Sequence, residues 1–191
     1  MLKQALKGYV RDQLWGLRGL AFSEAPRLPA DPRSILFLCK GNVCRSPFAE
    51  YRMRRFMKGY GITVSSAGLR VDIQGAPPLQ AQEAAREFGV DFSDYLSKQV
   101  NKKMMDAHDI VFVMQLRQIQ LLKQTFPGYE DRIYLLPLQD KKNKNNKGFY
   151  RYNIPDPYGK SHQEYEACYH RIEECLANLS LALIHQGTSN E

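Results

Sequence analysis

Apolar positions follow two different periods along this chain, and the change falls near Ser34. Upstream, Leu2, Leu6, Val10, Leu14 and Leu17 recur at three- and four-residue steps, the spacing of one helix face. Basic side chains take much of the remaining surface, so residues 1 to about 24 read as an amphipathic helix. "SEAPRLPADPRS" follows with three prolines, and no helix tolerates that density. The organisation expected is a helical extension and linker over 1–33 and a domain proper over 34–191.

From Ser34 onward short apolar runs alternate with helical patterns. "SILFLC" (34–39) is bounded by turn signals, like a strand buried on both faces. "SPFAEYRMRRFMKGYG" (46–61) is a helix with proline in its first turn and glycine past its end. The same alternation gives a strand over 62–68, a helix over 77–89, a strand over 109–114, a helix over 115–126 and a strand over 132–137. A long amphipathic helix over 161–186 carries Tyr165, Cys168, Tyr169, Ile172, Leu176 and Leu179 on its buried side. This order predicts an α/β domain, a four-stranded parallel sheet flanked by helices on both faces. Its ligand site belongs at the carboxyl ends of the strands, and Cys39 ends the first of them. "DKKNKNNKGFYRYN" (140–153) sets Lys141, Lys142, Lys144, Lys147 and Arg151 among asparagines and reads as a mobile, solvated loop. No internal repeat is visible.

Composition narrows the picture only a little. A formal charge of +7 over 191 residues suggests affinity for anions without choosing among them. No run of about 18 apolar residues exists to span a membrane. Lys3, Lys7, Arg11, Asp12 and Arg18 interrupt any signal-peptide core near the N-terminus, so a cytoplasmic setting is expected. The four cysteines, Cys39, Cys44, Cys168 and Cys175, are too sparse for a disulfide scaffold. Cys168 and Cys175 share a helix face and read as small core residues. His108, His162, His170 and His185 show no ligand spacing with the cysteines, so neither a metal nor a cofactor is expected.

The chemistry concentrates in "CKGNVCRS" (39–46). In a strand-to-helix turn, successive backbone N–H groups point into the concavity, and the following helix adds its own free donors. Such a nest fits a tetrahedral dianion, with Lys40, Gly41, Asn42, Val43, Cys44, Arg45 and Ser46 forming the cradle. Gly41 would allow the sharp bend, and Asn42 tolerates a left-handed backbone. The Arg45 guanidinium matches two phosphate oxygens. The field of the cradle favours a thiolate at Cys39, Ser46 would donate its hydroxyl to that sulfur, and a thiolate beneath a phosphate attacks phosphorus in line with the leaving group. An oxygen leaving group expelled as an anion departs poorly at mild pH, so a protonated carboxyl is needed nearby. "IPDPYG" (154–159) offers Asp156 after the last strand, although Asp-Pro-Tyr-Gly on its own also makes an ordinary turn. Tyr158 either lines the pocket wall or packs that turn.

"LCKGNVCRSPFAE" (38–50) resembles the signature of the low-molecular-weight protein tyrosine phosphatases. The resemblance runs from about Ser34 to the final helix and includes "SSAG" (65–68) and "IPDPYG". It implies Cys39 as nucleophile, Arg45 as phosphate clamp and Asp156 as general acid and then base. Asn42, Ser46 and Ser66 would support the loop. The reaction would be hydrolysis of phosphotyrosine through a cysteinyl-phosphate, without a cofactor. In bacteria such enzymes often oppose tyrosine autokinases, so a phosphotyrosine protein, a tyrosine autokinase among the candidates, is the partner implied.

The chain departs from that family at several positions. Lys40 replaces a neutral residue, Tyr95 stands where a histidine is frequent, and Gln115 follows "VFVM" where an aspartate is common. Gly159 and Lys160 take the place of a second aromatic. Arsenate reductases of the same fold pass a disulfide to cysteines in a flexible segment, but residues 95–107 contain none. Protein arginine phosphatases carry threonine where Val43 stands. A non-catalytic anion- or nucleic-acid-binding module is the remaining rival. Aromatics do not interleave with the basic runs and no recognition motif appears, so no DNA partner is expected. Under oxidation Cys44 would form a reversible disulfide with Cys39. The N-terminal helix would either pack on the domain or dock a partner or an anionic membrane.

Overall fold

A computed structural model describes residues 27–142 and 148–188. The N-terminal helix expected over 1–24, and Lys144 and Lys147, lie outside these residues. The order is β1 (Ser34–Cys39), α1 (Arg45–Phe56), β2 (Thr63–Gly68), α2 (Leu79–Glu87), α3 (Lys102–Asp106), β3 (Ile110–Val113), α4 (Leu116–Thr125), β4 (Ile133–Leu135), α5 (Phe149–Tyr152) and α6 (His162–Thr188). The four strands form one parallel sheet in the order β2-β1-β3-β4. The expected α/β architecture is therefore present. Its central strands are short and almost wholly buried, because helices cover both faces.

The two-residue period of β1 divides the core. Ile35 and Phe37 face a layer built with α1, α2 and α6, while Leu36 and Leu38 face Met105 of α3 and Ile119 and Leu122 of α4. On the first side Phe37 stacks on Phe112 with centroids 5.7 Å apart, and Phe48 of α1 stacks on Tyr169 of α6 at 4.1 Å. All six residues expected on the buried side of the last helix are buried, and Cys175 and Leu183 join them. Burial pushes the Cys168 thiol, which donates to Pro155 O at 3.7 Å, up to about 12, in keeping with a small core residue.

Some elements lie beyond the hydrophobic pattern. Helix α3 has only five residues, and its visible signal is Asn101, whose side chain accepts from Met104 N at 3.0 Å. The 140–153 segment is not simply a solvated loop. Its ends are built into the domain, with Asp140, Arg151, Tyr152 and Asn153 buried. Arg171 of α6 donates to Asn153 O at 2.6 Å and to Tyr150 O, and lies 3.6 Å from an Asp140 carboxylate oxygen. A cluster of polar residues concealed this because the partner sits in a different element. The start of the described chain is also tied down. Leu28 joins the core, and Arg33 N donates to Asp109 at 2.8 Å.

Candidate active site

The site stands at the carboxyl end of β1, where the chain turns into α1. Cys39 is the last strand residue and Arg45 the first helical one. Asn42 takes the left-handed backbone conformation at φ 56°, which reverses the loop. Gly41 does not. It has no positive φ, and a Cβ placed on it would meet Val43 at an ordinary 3.7 Å. The sharp bend expected at Gly41 thus belongs to its neighbour, whose short polar side chain can hold it. Gly68 of β2 is the glycine that the loop requires. A Cβ there would fall 3.0 Å from Gly41 C and Lys40 O and 2.5 Å from Val71. The loop backbone rests directly on the end of β2.

Two donors converge on the Cys39 sulfur, Asn42 N at 3.2 Å and Ser46 Oγ at 3.0 Å. Asn42 organises the loop through its amide. Its Nδ2 donates to Ser46 Oγ at 3.0 Å and to Ser66 Oγ at 2.9 Å, and its Oδ1 accepts from Tyr95 OH and Lys98 N, each at 2.9 Å. Ser66 Oγ donates to Glu50 at 2.6 Å, and Glu50, buried on α1, pairs with Arg54. Every member of this network is fixed by at least two partners, which favours one loop conformation.

Arg45 is buried, with Nη1 donating to Ile154 O at 3.1 Å and Nη2 paired to Asp156 Oδ2 at 2.6 Å. Its Nε has no acceptor among the described residues. A guanidinium so placed has a donor in reserve for a phosphate oxygen. The segment carrying Asp156 is held against β3 by Ile154 N, which donates to Met114 O at 2.8 Å, and by Asn153 Oδ1, which accepts from Leu116 N at 3.2 Å. Asp156 is partly open to solvent.

The structure thus brings Cys39, Arg45 and Asp156 together with the loop residues and with Ser66. Lys40 is exposed at the mouth, Gly41 and Val43 are half-buried, and Cys44 is buried at the N-cap of α1. Burial and the neighbouring Cys39 push the Cys44 thiol up, and Tyr165 OH lies 3.9 Å from its sulfur. Tyr158 is 64% exposed, so it does not pack the turn that Asp156 begins. Glu50 is a supporting residue that periodicity and motif did not single out, and Tyr95 stands out in the sequence only as a departure from the family, with no role attached. Burial, the largest influence, pushes the Tyr95 phenol up, which keeps it a neutral donor to Asn42. Among the described residues Glu87, His162 and Glu166 could meet on one ion. They are solvent-facing, and His162 Nε2 already pairs with Glu87 at 2.9 Å. No helix among the described residues is long and apolar enough to cross a membrane.

Comparison with known proteins accords with this geometry. A family model described as low molecular weight phosphotyrosine protein phosphatase matches residues 34–189. The low molecular weight protein-tyrosine-phosphatase Wzb of Salmonella typhi is 31% identical over 150 residues, which are 78% of this chain and 93% of that protein. The tyrosine phosphatase AmsI of Erwinia amylovora superposes with a TM-score of 0.69 at 26% identity, covering 85% of this chain and 97% of that one. The arginine phosphatase YwlE of Geobacillus stearothermophilus gives 0.73 at 25% identity, covering 84% and 98%.

Proposed function

Because this chain belongs to the low molecular weight phosphotyrosine protein phosphatase family, we propose that it hydrolyses phosphotyrosine in proteins with Cys39 as nucleophile, Arg45 as phosphate ligand and Asp156 as acid and base. The observation that carries the assignment of roles is the convergence of Asn42 N and Ser46 Oγ on the Cys39 sulfur, beside an arginine paired to an aspartate.

The dianionic phosphate enters the loop and draws Arg45 onto two of its oxygens, which exchanges the Arg45–Asp156 pair for a stronger one. Asp156, released from the pair and partly open to solvent, takes up a proton from water at mildly acidic pH and faces the bridging oxygen. Cys39 sulfur attacks phosphorus, the S–P bond forms, and the P–O bond to the ring breaks as Asp156 delivers its proton to the phenolic oxygen. Water next attacks the cysteinyl-phosphate and gives its proton to Asp156. The S–P bond breaks, and Cys39 leaves as thiolate onto its two donors. Exposed Tyr158 stands beside Asp156 in the chain, available to cover a substrate ring.

Val43 supports an aromatic ester over a phosphoguanidinium, because an apolar side chain in the loop offers that group no polar partner. A soluble, cytoplasmic setting and a tyrosine autokinase as the physiological partner follow from the family reading. The test is hydrolysis of an aryl phosphate at mildly acidic pH with chelator present, run beside a phosphoarginine peptide. Wild type should turn over the aryl phosphate and spare phosphoarginine. Cys39→Ser should be inactive, and Asp156→Ala should be slower by about a hundredfold to ten-thousandfold. Full activity in either variant removes the assigned roles.

A further inference from the structure

Beside the phosphate loop lies a second cavity, of about 260 Å³, lined by Lys40, Leu69, Arg70, Arg117, Gln118 and Leu121. Three separate elements each contribute one cation: the loop itself, the segment after β2, and the first turn of α4. We propose that this cavity is a second anion subsite, one that takes an acidic group of the substrate while the phosphotyrosine occupies the Cys39 loop. The proposal rests on the phosphatase reading above and names the substrate class that reading leaves open.

The cavity is a rigid continuation of the loop. Leu69 N donates to Cys39 O and Arg70 N to Lys40 O, each at 2.9 Å, so Arg70 is fixed alongside Lys40. Gln99 holds the same segment from outside, accepting from Val71 N at 2.7 Å and donating to Leu69 O at 3.0 Å. Arg117 is oriented by a neutral partner, its Nε donating to Gln115 Oε1 at 3.2 Å, which leaves its full charge. Arg70 pairs with Asp72 at 2.9 Å, both well exposed, so one carboxylate offsets part of the field. Lys40 is bonded only through its backbone carbonyl, and its ammonium has no hydrogen-bond or ion-pair partner among the described residues. Three cations against one acid leave an excess of positive charge at the rim, and Arg forks suit phosphate and carboxylate oxygens alike. Leu69 and the 44% exposed Leu121 give the ligand's carbon stem an apolar wall. Arg70, Arg117 and Leu121 lie outside the Cys39–Ser46 loop, so the loop's own donors can hold a single phosphotyrosine without them. A second phosphorylated residue close in sequence would use all three.

The experiment compares three peptides with one phosphotyrosine flanked by alanines, by glutamates, or by a second phosphorylated residue. Wild type should favour the doubly phosphorylated peptide over the alanine one by about threefold to tenfold in kcat/KM, the scale of partly exposed charge pairs. Higher salt should shrink that preference. In Arg70→Gln/Arg117→Gln it should fall to near unity, with aryl phosphate hydrolysis within about twofold of wild type, since the two side chains bond to Asp72 and Gln115 and not to Cys39, Arg45 or Asp156. A glutamate peptide matching the doubly phosphorylated one identifies a carboxylate ligand, and a clear gap between them identifies phosphate. Calorimetric binding of the same peptides to Cys39→Ser measures the subsite without turnover, so a failure of the phosphatase reading stays distinguishable. Equal binding of all three peptides, or a preference that survives the double substitution, overturns the subsite.

Discussion

Asn42 does more for this site than its size suggests. It takes the one left-handed non-glycine backbone among the described residues and sends its amide to Ser46, Ser66, Tyr95 and Lys98 N. Ser46 receives that amide and turns its own hydrogen toward the Cys39 sulfur. Removing the hydroxyl with Ser46→Ala should lower kcat with little change in KM, because the donor matters most when the sulfur carries charge. A hydrogen bond to a charged group contributes about 1.5–3 kcal/mol, so the loss should be about tenfold or more. A fall in KM affinity alone, with kcat intact, would contradict this. Most of the site was legible at this scale. Cys39, Arg45, Ser46 and Asp156 announce themselves by spacing and by their place after strands. Glu50 does not, and Tyr95 shows only as a departure from the family without a role, because a buried carboxylate in a helix and a tyrosine in a loop carry no local pattern. Only the fold brings their oxygens to Ser66. Gly41 misled for a related reason, since any residue capable of positive φ can make the bend.

Elements explain why "SSAG" accompanies the loop motif. Strand β2 ends in Gly68 under the loop backbone, where a methyl group would meet Lys40 O and Gly41 C at 3.0 Å. Backbone cannot yield as a flexible side chain does. Gly68→Ala should therefore displace the loop and depress kcat/KM by more than tenfold while the sheet survives, since three strands remain paired around β1 and β3. Circular dichroism and aryl phosphate kinetics on one sample check both halves, and unchanged kinetics would refute the steric account. The strands and long helices were readable because their apolar periods are strong and uninterrupted. Helices α3 and α5 have five and four residues, too few for any period. The lysine-rich segment was read by composition, whereas Arg171 decides where its ends lie through bonds made across the fold.

The fold buries all four cysteines and several of its tyrosines, Tyr95 and Tyr169 among them, and that sets its response to alkali. Burial raises the Cys44, Cys168 and Cys175 thiols above the free-thiol range, and does the same to the Tyr95 and Tyr169 phenols. Above about pH 9 the unfolded chain sheds these protons and the folded chain retains them, so unfolding becomes easier as pH rises. Each such thiol removes about 1.4 kcal/mol of stability per pH unit across that window. Urea midpoints should fall steeply between about pH 9 and about 10.5, and a flat profile would mean the thiols titrate freely in the fold. Domain limits belong to this scale too. The family match begins at residue 34, yet Leu28 packs into the core, so a truncated domain should start before Leu28 to keep its stability. At this scale the proposed chemistry reduces to one step, the passage of phosphate through the Cys39 sulfur with Asp156 moving the proton. Mild-acid quenching during turnover of an aryl phosphate, followed by peptide mapping, tests it most directly. Phosphate should appear on the peptide carrying Cys39 in wild type and in Asp156→Ala, and on no peptide of Cys39→Ala. Steady turnover with no phosphate ever found on Cys39 would contradict it.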